Sequence, residues 1–234
     1  MAIGAALLFN IRLPINFNSP YKAVDIQDFW RRWHITLSRF LKDYIYIPLG
    51  GNRFGSFRTY SNLMATFILG GLWHGAGWTF ILWGFLHGSA LVVHRLWQSL
   101  GYKMNSILAW FVTFNFINIA WVFFRAEEFE DALKILKAMF GFSGIVFSDK
   151  FAIRLSFLND YGIQFGGWLS NMDGNKSFSW IFISLLVVLV CKNSMEIMNN
   201  NFKPNRWYFI YAMILFLYTT SILNKVSEFL YFNF

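Results

Sequence analysis

Residues 59–94 contain no Asp, Glu, Lys or Arg. As one helix, these 36 residues would extend about 54 Å at ~1.5 Å per residue, against a hydrocarbon core about 30 Å thick. A single straight span is excluded, and the run must turn or break in or near a membrane. The sequence offers the place: Gly70, Gly71, Gly75 and Gly77 crowd the stretch LGGLWHGAGW, and glycine is a poor helix-interior residue. The rest of the chain is apolar too. Of its 234 residues, 56% are hydrophobic, 21% aromatic and only 14% charged, where a soluble domain carries about 25% charge. That composition excludes a disordered tail and a disulfide scaffold and argues against a soluble enzyme. The single Cys191 can form no bridge within the chain.

Further spans are expected at 104–124, 177–191 and 207–224, the second extended past Lys192 by snorkelling. The connecting charges set an orientation. Residues 12–58 hold eight basic and three acidic side chains, whereas 125–176 are balanced at six against seven. If 59–94 makes two passes, the basic-rich segments 12–58, 95–103 and 192–206 fall on one side. By the positive-inside rule that side is cytoplasmic. The net charge of +8 is read as topology, and no nucleic-acid partner is expected. Lipid headgroups are the default contact of Arg31, Arg32, Arg39 and Lys42.

Two segments read as helices that do not span. From Asp25, a plausible N-cap, Ile26, Phe29, Trp30, Trp33, Leu37, Phe40, Leu41 and Tyr44 recur at spacings of three and four, which predicts one amphipathic helix over 25–46, ended by Pro48 and lying in the membrane interface. A second amphipathic helix is predicted over 127–140, with acids first and lysines last, as the helix dipole prefers. Residues 141–176, rich in Gly, Ser, Asn and Asp, read as an irregular loop. The apolar start at Met1 has no basic n-region and reads as the last turns of a helix.

Nucleophile-elbow, P-loop, H-E-x-x-H and C-x-x-C motifs are absent from the sequence. The four histidines are His34, His74, His87 and His94; no two stand at i, i+4, and 59–94 holds no carboxylate, so no metal is expected. His74 lies mid-run at the expected helix break. It is either an intramembrane functional group or a packing histidine bonded to a freed carbonyl. His34 shares the apolar face with Trp30, Leu37 and Leu41, where a backbone-satisfied core histidine is the plain alternative. His87 and His94 read as interfacial side chains at the end of a span.

Three stretches, NFNSPY from Asn16, DFWRRWHITLSRFLKDYIYIPLGGNR over 28–53 and NLMATFILGGLWHGAGWTFILWGFLHG over 62–88, resemble the membrane-bound O-acyltransferase family, in its bacterial polysaccharide (alginate) O-acetyltransferase branch. FRAEEFEDALKILKAMFG over 124–141 and the ending EFLYFNF over 228–234 are similar to the same branch, and YIPLGGNR favours it over teichoic-acid D-alanylation. Family members are about twice this length, so the resemblance implies a single membrane domain over 1–234 that corresponds to a carboxy-terminal half. It implies His74 as the catalytic residue, assisted by His34. It also implies Trp30, Arg31, Trp33, Asp43, Tyr44 and Trp73 as substrate-binding residues.

The expectation is an all-α, multi-pass protein of the bacterial cytoplasmic (inner) membrane, with 12–58 as cytoplasmic and interfacial helices. It would move an acetyl or similar acyl group from a thioester donor such as acetyl-CoA towards hydroxyls of an exported polysaccharide such as alginate. No bound cofactor is expected. Implied partners are the lipid bilayer, the donor or its carrier, periplasmic acetyl-transfer proteins and the polysaccharide acceptor. A transporter-like or channel subunit shares the broken helices and midplane histidine, and a non-catalytic scaffold is a further alternative. Formation of an ester separates these from the enzyme.

Overall fold

The computed structural model describes residues 2–148, 151–166, 174–199 and 203–222. They are mostly helical and fall into two compact units, Met1–Cys191 and Lys192–Phe234. The first unit opens with α1 (Ala2–Leu8) and continues through α2 (Ile26–Arg32), α3 (Ile35–Leu41), a π-turn at Lys42–Tyr46, α4 (Gly55–His74), α5 (Trp78–Ser99), α6 (Ser106–Arg125) and α7 (Phe129–Met139). After them come β1 (Ile145–Ser148), β2 (Ile163–Gly166) and α8 (Gly174–Val190).

The charge-free run forms an antiparallel hairpin of α4 and α5, 20 and 22 residues long. Each is about 30 Å by helical rise. The break is narrower than the glycine count predicted. α4 continues through Gly70 and Gly71, stops at His74, and α5 starts after an extended Gly77. Gly71 instead lets the two backbones touch: a Cβ there would strike the carbonyl oxygen of Phe80, and one at Gly84 would strike that of Phe67. Gly84 and Gly88 form a small-xxx-small seam of the kind that brings membrane helices together. The polar side chains buried along α4 find partners inside. Thr66 donates to the Asn62 carbonyl at 2.7 Å, and the Asn62 amide reaches the Gly51 carbonyl at 2.9 Å, as burial of polar groups requires.

The predicted helix over 25–46 is not continuous. Asp25 does cap α2, accepting from Asp28 N at 2.7 Å. But Trp33 is extended and His34 adopts a left-handed conformation (φ 43°, ψ 52°) before α3 begins. The backbone of 16–18 pairs across this break: Asn18 N donates to Arg32 O at 2.8 Å, and Ile35 N donates to Asn16 O at 2.9 Å. Helical hydrogen bonds are thus replaced by bonds to a segment over ten residues away in sequence, which spacing alone does not reveal. The apolar face of α2 turns into protein. Ile26, Phe29 and Trp30 pack with Trp83 and Leu91 of α5 and with Ile117 and Ala120 of α6. α6 fixes the approach to α2 through Trp110 Nε1, which donates to the Tyr21 carbonyl at 2.8 Å.

α6 begins under an Asn105 cap, whose side chain accepts from Ile107 N at 2.9 Å, close to the predicted start of that span. α7 places Glu130 and Asp131 in its first turn and Lys137 in its last, as the dipole argument expected. The all-α expectation is qualified in 141–176, where an irregular loop was predicted. β1 and β2 pair in parallel, Ile145 opposite Ile163, joined through a 3₁₀ turn at Ser156–Tyr161. Strands of 4 residues are too short for a period-two pattern to declare itself in a Gly- and Ser-rich stretch.

In the second unit, α9 (Ser194–Asn199) opens with a reciprocal cap. Glu196 N donates to Asn193 Oδ1 at 2.8 Å, and Asn193 N donates to Glu196 Oε2 at 3.0 Å. α10 (Arg206–Ile222) is capped by Asn205, which accepts from Trp207 N and Tyr208 N at 3.0 Å each. The last two positions of the span expected at 207–224, and the aromatic ending 228–234, lie outside the described residues. Two stretches, Ser106–Arg125 and Ser179–Met198, are long and apolar enough to cross a membrane.

Candidate active site

His74 ends α4 at the break. Its ring stands edge-on in a cage of three aromatic side chains: Trp73 at 4.8 Å between centroids, Trp83 of α5 at 5.3 Å and Phe124 of α6 at 4.9 Å. At Gly75, the next residue, a Cβ would meet the ring of Phe80 at 2.6 Å, so a side chain there would force that ring to shift. The imidazole is half-buried, and among the described residues no hydrogen bond is made to it. Packing thus fixes the ring while its nitrogens stay available, unlike the packing histidine bonded to a freed carbonyl.

Among the described residues no hydrogen bond or ring contact joins His34 to His74. His34 Nδ1 is 3.2 Å from Asn16 Oδ1, and the ring of Phe17 tilts against the His34 imidazole at 5.9 Å. Burial holds the His34 imidazole below its ordinary pKa, opposed by a smaller backbone hydrogen-bond effect. The loss of helix at Trp33–His34 removes His34 from the simple apolar face of 25–46 and makes it the hinge between α2 and α3.

The remaining signature residues divide. Trp73 is 64% exposed and forms one wall of the His74 cage. Trp33 stacks on Phe29 at 5.8 Å and meets Trp121 at 5.1 Å. Trp30 is buried and belongs to the layer beneath. Arg31 is exposed. Asp43 pairs with Lys42 at 3.3 Å, and Tyr44, 70% exposed, rests against Phe40 at 4.8 Å. Among the described residues, Arg31, Asp43 and Tyr44 make no hydrogen bond, ion pair or ring contact with His74 or His34.

His87 corrects an expectation. It is fully buried rather than interfacial, between Trp83 at 4.7 Å, Trp30 at 5.1 Å and Phe116 at 5.5 Å. Trp30 Nε1 donates to its Nδ1 at 3.3 Å. Through Trp83, which touches both rings, His87 supports one wall of the His74 cage. Spacing within α5 carried little signal for this burial, because the rings that enclose His87 come largely from α2 and α6. His94 is half-buried, with Nε2 3.7 Å from Asp25 Oδ1, where it meets the N-cap of α2. Replacing Trp30 by Phe strips the donor from His87 Nδ1 and also removes part of a buried indole. The expected loss is about 1–3 kcal/mol of stability, read as a lower unfolding temperature in detergent, with little loss for Trp33→Phe.

A half-buried histidine caged by aromatic rings thus stands where two long apolar helices reverse. The family model of MBOAT, the membrane-bound O-acyltransferase family, matches residues 1–126, which include His34, His74 and His87. The chain therefore belongs to the membrane-bound O-acyltransferase family. It is 48% identical over 246 residues to a peptidoglycan O-acetyltransferase of Helicobacter pylori, covering 100% of this chain and 45% of that protein. It is 48% identical over 150 residues to the protein named “Probable alginate O-acetylase AlgI” of Azotobacter vinelandii, covering 64% of this chain and 30% of the relative. Against the protein of the same name from Pseudomonas aeruginosa it is 49% identical over 143 residues, 61% of this chain and 28% of the relative. The chain spans less than half the length of these relatives.

Proposed function

We propose that this chain carries the histidine centre of a multi-pass O-acyltransferase of the bacterial inner membrane, which forms acyl esters on hydroxyls of an exported or envelope polysaccharide. The observation that carries the reading is the His74 imidazole, caged by three rings at the helix break and without a hydrogen bond to protein among the described residues. Neutral imidazole can take a hydroxyl proton as the oxygen attacks a thioester carbonyl. The C–O bond forms, the C–S bond breaks and the thiol leaves with a proton. A break in the membrane lets a donor from one side and an acceptor from the other meet without either crossing whole. The hairpin α4–α5 supplies helices of spanning length on both sides of that break.

The basic segment 12–58 is then cytoplasmic and on the donor side, with Arg31 and Arg39 exposed. Arg32 is less available, tied to Asp28 at 2.9 Å. The donor is an acyl thioester, acetyl-CoA or a carrier-borne equivalent, and the attacking hydroxyl belongs to the polymer or to a periplasmic protein that then passes the acyl group to the polymer. The names of the relatives support acetyl as the group and a polysaccharide as the acceptor. The test is to express the whole protein in a strain that lacks it and to measure ester-linked acetyl on its isolated envelope and exported polysaccharides. Restored ester supports the reading; unchanged ester with the protein present in the membrane contradicts it.

A further inference from the structure

We infer that Asn16 is a positioning residue that fixes the tautomer of His34, so that the ring carries its proton on Nδ1 and presents a bare Nε2. The inference begins with the turn between α2 and α3. His34 sits in the left-handed region, sparsely used by residues other than glycine and held there only when the surroundings over-determine it. Asn16 provides much of that determination. Its carbonyl accepts from Ile35 N at 2.9 Å, and its side-chain Oδ1 accepts from Thr36 N at 3.1 Å and Thr36 Oγ1 at 2.8 Å. α3 is thus capped by a residue from another segment, while the His34 side chain makes no capping bond.

The backbone N–H of Thr36 can only donate. The atom of the Asn16 amide that faces it must be the oxygen, because a flipped amide would set its NH2 against that N–H. That same oxygen is 3.2 Å from His34 Nδ1, so Nδ1 must hold a proton. A neutral imidazole with a protonated Nδ1 leaves Nε2 as its lone-pair nitrogen. Burial favours the neutral ring at physiological pH. Among the described residues no acidic or basic side chain makes an ion pair or hydrogen bond with this ring. Arg32, two residues back, is held by Asp28 and by the Asn18 carbonyl at 3.4 Å. That the bare Nε2 accepts a proton during acyl transfer rests on the proposed function; the tautomer itself does not.

The test uses the whole protein in lipid bilayers with ¹⁵N-labelled histidine, His34→Gln identifying the resonances. Protonated and bare ring nitrogens differ in ¹⁵N shift. The expected wild-type result is a protonated Nδ1 and a bare Nε2 at neutral pH. Asn16→Ala should let the ring adopt the opposite tautomer. Asn16→Asp keeps an acceptor but adds a charge that favours imidazolium; it should retain the Nδ1 proton, raise the titration midpoint of His34 and move the acid limb of the O-acylation profile to higher pH. Thr36→Val, which loses only the hydroxyl bond, should leave the tautomer unchanged. A protonated Nε2 in the neutral wild-type ring, or a tautomer indifferent to Asn16→Ala, would overturn the inference. The expected spectra in a protein that forms no ester would count against the acyltransferase reading alone.

Discussion

Gly84→Val and Gly71→Val are each expected to remove most of the folded protein from the membrane. At both positions a Cβ would collide with main chain of the facing helix: the Phe67 carbonyl for Gly84, the Phe80 carbonyl for Gly71. Further atoms at Gly84 would meet Ile68 Cα, already 3.1 Å from the first added carbon. Main chain in a helix cannot rotate aside as a side chain can, so α4 and α5 must separate. Overpacking a core by a few carbons costs typically about 1–3 kcal/mol, and a clash with backbone along a whole helix seam lies at or beyond the top of that range. Against a total stability of about 5–15 kcal/mol, a loss above ~3 kcal/mol makes unfolding and proteolysis prominent. Gly88→Ala should be milder, because its added Cβ meets chiefly the Met64 sulfur at 2.9 Å, the far end of an adaptable side chain. Folded yield and unfolding temperature after mild detergent extraction measure the series. Near-normal yields for both valine variants would contradict the close α4–α5 seam, and with it the arrangement that sets Trp83 against His74.

The parts of this fold legible in the sequence are those set by local chemistry. A 36-residue run without charge had to reverse, and it reverses beside His74. Asp25 and the charge order of α7 sit where capping and dipole rules put them. The parts that escaped depend on partners distant in sequence. Apolar spacing passes unbroken through Trp33 and His34, so the pattern hides the break, yet beyond it Phe40 and Tyr44 of the predicted apolar face are exposed. The bonds that stabilise the turn come from Asn16 and Asn18, outside any window centred on the helix. His87 falls towards the end of the charge-free run, near Arg95, which suggests an interface, whereas Trp30 of α2 and Phe116 of α6 enclose it in the core. The histidine cage was half visible: His74 stood out as an ionisable group in an apolar run, but Phe124 joins it only through the packing of α6.

Acyl transfer through His74 predicts a loss of chemistry without a loss of protein. A general base contributes about 10²- to 10⁴-fold in rate, and substitution of a half-buried residue at a helix end should leave most of the packing intact. His74→Gln retains a polar planar side chain but cannot accept and release a proton in the same way. His87→Gln is the contrasting variant: buried in the core and bonded to Trp30, it should lower stability and yield together. The decisive measurement is the rate of ester formation per folded molecule for His74→Gln in the whole protein, with membrane abundance quantified in the same preparation. A fall of about 10²-fold or more at wild-type abundance is the predicted result. Ester formation within a few-fold of wild type, in equally abundant His74→Gln protein, would contradict it.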